Sequence, residues 1–118
     1  MSANARNILV WVLRALVAAL FLFAGFAKLS GQPMMVDEFA RVGFGDWFRL
    51  FTGALEVAGG VATLIPAVSL WGAALLLCVD IGAFFAQAFV LHDDVIHTFV
   101  IGAVIAGLIY LQRGRLRT

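Results

Sequence analysis

Two carboxylates stand where carboxylates are costly. Glu56 lies near the centre of the apolar run 47–65, and Asp80 near the centre of the run 68–91. If those runs cross a bilayer, each acid sits close to the midplane, where it should face the protein interior and meet a partner. Arg14, Lys28 and His97 lie within or at the edges of apolar runs of the same kind. Acids in such a setting can relay protons, and cations beside them can hold an anionic oxygen. Two carboxylates brought together without a cation could not both stay ionised, so they would share a proton.

Helical spacing tells which side each group faces. At about 100° per residue, Thr52, Gly53, Gly60 and Thr63 share the face of Glu56, which is therefore small and polar. Ser69, Ala73, Leu76, Phe84 and Gln87 share the face of Asp80. Arg14 and Lys28 are about four turns apart, on one face with Ala18, Phe21 and Gly25. Small residues at Ala18, Gly25, Gly53, Gly60 and Ala73 let helices approach closely. The expected interior is a polar seam, with Arg14 below, the two acids midway, and Lys28 and His97 above. The same seam also has a purely structural reading, as a salt-bridge cluster that fixes helix register without turnover. Lys28 could instead snorkel to an interface, and His97 could simply cap or line a helix start.

The elements that must carry these residues follow from composition. Of 118 residues, 64% are hydrophobic and 13% charged, against roughly half and a quarter in a soluble domain. The chain is one domain, 1–118, with a mean hydropathy of +1.04, and it belongs in a membrane. Four spans are expected, at 8–29, 47–65, 68–91 and 95–111, each long enough or nearly so for a core of about 30 Å. The fold class is all-α, a four-helix transmembrane bundle. Between spans one and two, Gly31-Gln32-Pro33 stops the first helix, and the mixture of Phe39, Val42 and Phe44 with Asp37, Glu38, Arg41 and Asp46 reads as a short amphipathic helix at the interface. A tight turn at Pro66 separates spans two and three, and His92-Asp93-Asp94 forms the turn before the fourth. The first segment could also be read as a secretory signal ending at Gly25-Phe26-Ala27. A retained anchor is preferred, because cleavage would discard Arg14, the best available partner for the buried acids.

Four spans put both termini on one side. That side carries Arg6, Arg113, Arg115 and Arg117 and no acids, so the positive-inside rule places both termini in the cytoplasm. Other chemistries are poorly supplied. The single cysteine, Cys78, gives no intrachain disulfide or CxxC pair and reads as a buried small hydrophobe. One histidine within a span makes haem ligation weak, and Met34, Met35, His92 and Asp93 make no convincing metal set. No basic patch with interleaved aromatics supports nucleic-acid binding. Trp11, Trp47 and Trp71 suit interfacial belts.

The order of motifs resembles the DoxX/DoxX-like family of small bacterial membrane proteins. The matching features are Arg14 followed by Phe21-Leu22-Phe23-Ala24-Gly25-Phe26-Ala27-Lys28-Leu29, the amphipathic segment with Phe39 and Gly43, and Gly53-Ala54-Leu55-Glu56-Val57-Ala58-Gly59-Gly60 followed by Leu64-Ile65-Pro66. Gly25, Lys28, Glu56 and Gly60 match pattern positions, whereas Asp80 and His97 rest on burial alone. The resemblance implies a four-helix membrane fold and an association with membrane oxidoreductase systems, including thiosulfate–quinone oxidoreductases.

Three functions follow as expectations. The first is an accessory or quinone-facing subunit of a membrane oxidoreductase. There Glu56 and Asp80 relay protons, and Arg14, Lys28 and His97 bind the substrate. No covalent cofactor or metal is expected, quinone is the expected diffusible one, and electrons come from a partner. The second is a scaffold or assembly factor that docks a partner through residues 34–46. The third, ranked last, is a small carrier of protons or of a hydrophobic solute. Expected partners are lipid, a redox or assembly protein, and a second copy of the chain.

Overall fold

The structure, a computed structural model, describes residues 2–91 and 95–112. The described chain is all-helical, without strands: α1 (Ala3–Leu29), α2 (Pro33–Val42), α3 (Asp46–Leu64), α4 (Ser69–Phe85) and α5 (Ile96–Gln112), with a π-helical turn, Ala86–Leu91, continuing α4. The expected turn at His92–Asp94 and the arginines 113, 115 and 117 lie outside the described residues.

Local chemistry sets the helix ends. Ser2 caps α1 by accepting a hydrogen bond from the Ala5 amide at 3.1 Å. The end of α1 turns through Gly31 at φ +76°, where the Gln32 amide returns to the Ala27 carbonyl. Pro33 opens α2, where its missing N–H costs nothing, and Gly43 in the left-handed region closes it. Ile65 and Pro66 end α3, and Ser69 starts α4 with its hydroxyl bonded to the Thr63 carbonyl at 2.7 Å.

The four long helices pack in a ring. Contacts are most extensive between α1 and α3, then α3 and α4, then α4 and α5, and α5 returns to α1 over a smaller interface. Glycines set the close approaches. A Cβ at Gly25 would stand 2.7 Å from Val57 and 2.8 Å from the Gly53 carbonyl oxygen, and one at Gly72 would stand 2.8 Å from Ala62. Such small-residue seams bring helices together where no hydrophobic force can.

Beside an apolar core, several polar side chains are buried while many large apolar ones are exposed. Buried positions include Arg14, Arg49, Glu56, Thr63, Asp80 and Gln112, and Arg14 is among the largest side chains fully buried. Phe23, Phe26, Phe51, Trp71, Phe85 and Phe99 point outward. Water would penalise that arrangement, and lipid would not. Ala3–Leu29 and Ser69–Phe89 are long and apolar enough to cross a membrane, and Ile96–Gln112 is apolar but shorter. The long axis of 47 Å is about the full thickness of a bilayer with its headgroups.

Only one half of the ring is filled. The core of Val10, Val17, Phe21, Ala73, Leu76, Ile105 and Leu108 occupies the end away from α2. Towards α2 the helices surround a cavity of about 780 Å³.

Candidate functional site: a cavity beside buried charges

Helix direction explains how Lys28 and Glu56 meet. Cα–Cβ bonds tilt towards a helix N-terminus, and α1 and α3 run antiparallel. Lys28, near the C-terminal end of α1, therefore points down into the bundle, while Glu56 points up towards α2. The Lys28 stem crosses Gly53, where a Cβ would lie only 3.0 Å from the Lys28 Cβ. Its Nζ then stands 2.8 Å from Glu56 Oε1, with the two side chains 12% and 6% exposed. The contact is an ion pair rather than an aligned hydrogen bond. Lys28 does not snorkel.

Arg49 holds the end of this arrangement. Its Nη1 donates to the Lys28 carbonyl oxygen, and its Nη2 lies 3.8 Å from Asp46 Oδ1. A buried cation on the last carbonyls of α1 satisfies acceptors that have no partner inside the helix. Arg49 is itself buried.

Asp80 comes to the same level from α4. Gly59 packs on Leu76, and Gly72 on Ala62 and Thr63, a register that sets Glu56 and Asp80 at equal depth on antiparallel neighbours. Asp80 is 7% exposed, and its Oδ2 lies against α5 where Gly102 leaves room: a Cβ there would stand 2.7 Å away. Among the described residues Asp80 makes no hydrogen bond or ion pair, although His97 lies within electrostatic reach.

Lys28, Glu56, Asp80 and His97 all line the cavity. Most of the remaining wall is apolar and aromatic, including Phe21, Phe39, Phe48 and Phe85. Gln87, carried on the π-helical turn, donates to Glu38 of α2 at 2.8 Å, and both residues border the cavity. π-helical turns recur at functional sites. Exposed Phe51, Phe85 and Phe89 also belong to the wall, so the cavity opens on the apolar flank of the bundle.

Three expectations need correction. Arg14 does not join the seam with the acids. It donates to Ser69 at 3.1 Å and to Gln112 at 2.5 Å, stacks over Trp11, and sits about 16 Å along α4 from Asp80. Its side chain tilts towards the N-terminus of α1, away from Glu56. His97 is exposed at the rim rather than buried in the seam. Cys78 is exposed and lines the cavity, because its position on α4 faces the opening rather than the packed core. Sequence reasoning had no residue for the Arg14 partner Gln112; its polar type at the very end of an apolar run was the available signal.

A family model described as the DoxX-like family matches residues 12–111. The chain belongs to the DoxX-like family. No curated protein and no solved structure matches the chain. Membership and the two long apolar helices make this a small membrane protein. The matched stretch includes every residue that lines the cavity, from Leu20 to Ile101.

Proposed function

We propose that this DoxX-like protein is a four-helix transmembrane bundle of the bacterial inner membrane, with both termini cytoplasmic, and serves as an accessory, quinone-facing subunit of a membrane oxidoreductase. The observation that carries the reading is the cavity of about 780 Å³ beside Lys28, Glu56 and Asp80, open on the apolar flank. A lipid-borne ligand would reach it sideways without entering water. Its volume suits a small-molecule site, and its composition, apolar with a few polar groups, is that of one.

The residues present fit a quinone. When bound, a quinone would supply two-electron carrier chemistry, with electrons delivered by a partner subunit. The aromatic walls would hold the ring and tail, the Lys28 ammonium would orient a carbonyl oxygen, and Asp80 and Glu56 would hold or pass protons at that oxygen. Arg14, at the far end, would set helix register through Ser69 and Gln112. His97 would line the entrance.

Affinity purification in mild detergent tests the reading, with copurifying proteins identified and quinone extracted. A stoichiometric redox partner or bound quinone supports it. A lone protein with neither overturns it, and the scaffold role then becomes the leading account.

A further inference from the structure

The charges around the cavity do not balance. Among the described residues three carboxylates, Glu38, Glu56 and Asp80, line it against one ammonium, Lys28. Lys28 is paired with Glu56, and Glu38 accepts from the neutral amide of Gln87. Asp80 is left: more than nine-tenths buried, bordering the cavity, with no hydrogen bond or ion pair among the described residues. Among the described residues His97, at the rim, is the one further titratable side chain lining the cavity apart from the exposed Cys78. A carboxylate held at this depth with no ion pair, and only the exposed His97 within electrostatic reach, is costly, and a positively charged occupant in direct contact reduces that cost.

The walls say what kind of cation fits. Small metal ions need several oxygen ligands, and the described residues hold no cluster of acids, cysteines or histidines that could supply them. Phe21, Phe39, Phe48, Phe85 and Phe89 line the space instead. Aromatic faces attract organic cations, more strongly when the site is desolvated. The opening on the apolar flank selects for a body that partitions into lipid.

We propose that the cavity is a binding site for a lipophilic organic cation, a protonated amine or a quaternary onium with an apolar body, with Asp80 as its counter-charge. The proposal is independent of the quinone reading, since it rests on the charge of the site rather than on any redox partner.

Tetraphenylphosphonium, titrated calorimetrically into the purified protein in neutral detergent, tests it, with triphenylphosphine oxide as the uncharged control. Saturable binding of the cation is expected, with the control binding at least about tenfold more weakly. Asp80→Asn should cost the cation at least about tenfold in affinity and leave the control unchanged. Absence of saturable binding to the folded protein, or equal affinity for wild type and Asp80→Asn, overturns the proposal. Should Asp80→Asn fail to fold, Cys78 supplies a second measurement on the wild type, since it is the only cysteine in the chain and lines the cavity. The cation should slow labelling of Cys78 by a membrane-permeant maleimide several-fold more than triphenylphosphine oxide does. Equal protection by both, or by neither, overturns the proposal. Quinone extraction from the same preparation is scored separately, so either reading can fail alone.

Discussion

The Lys28 ammonium stands 2.8 Å from the Glu56 carboxylate at a point where both side chains have left solvent. Breaking one side of such a pair leaves an uncompensated buried charge, which costs about 3–5 kcal/mol, whereas removing both costs far less. Lys28→Met should therefore lower stability in detergent more than the double variant Lys28→Met/Glu56→Leu does. A denaturant titration of the three proteins checks the order. A double variant weaker than Lys28→Met would show that the pair itself, and not the orphaned acid, matters.

Close packing of α1 on α3 is what lets that pair form. Gly25→Ala would place a methyl 2.8 Å from the Gly53 carbonyl oxygen, a backbone atom that cannot rotate away. The expected cost is about 1–3 kcal/mol, with the helices pushed apart. Gly107→Ala meets nothing within 4 Å and should be neutral or slightly stabilising, since alanine is the better helix former. Thermal unfolding of both variants in the same detergent decides between them.

Arg14 is assigned to register rather than to ligand. Arg14→Lys cannot reproduce a planar fork that bonds Ser69 and Gln112 in different directions, so it is expected to lower the yield of folded protein. Ligand bound per folded molecule should stay unchanged. A drop in bound ligand at constant folded yield would move Arg14 into the binding machinery.

The hydrogen bond from Gln87 to Glu38 ties α2 to the π-helical turn. Gln87→Ala removes about 1 kcal/mol of net interaction. Amide hydrogen exchange should then quicken in α2, while α1 and α3 keep their protection. Uniform quickening across the chain would instead mean general destabilisation.

Depth in the bilayer can be read by fluorescence. Trp11, Trp47 and Trp71 are exposed on the bundle surface and are expected at the interfaces, so lipids brominated near the headgroup should quench them best. Phe23, 77% exposed on α1, is expected deep in the hydrocarbon. Phe23→Trp in a background lacking the native tryptophans should be quenched best by bromines far down the acyl chain. Shallow quenching at that position would argue against a span there.

The two-faced character of each helix was legible in the sequence, since 3.6-residue spacing alone fixes which side chains share a face. Glu56 with Gly53 and Gly60, and Asp80 with Ala73 and Leu76, came out on buried faces as that spacing dictates. The amphipathic segment after Pro33 was legible too, because proline and glycine punctuate it at both ends. Composition by itself determined that the chain belongs with lipid. Partners, by contrast, depend on helix register and tilt, which no single helix encodes. Tertiary packing alone decided that Glu56 takes Lys28 rather than Arg14, because antiparallel helices aim their side chains towards opposite ends. It alone buried Arg49 on the end of α1, left Asp80 without a hydrogen bond or ion pair among the described residues, and filled one half of the bundle while leaving the other hollow. Sequence spacing fixes directions around one axis; a cavity is a relation among several axes, and exists only once they have packed.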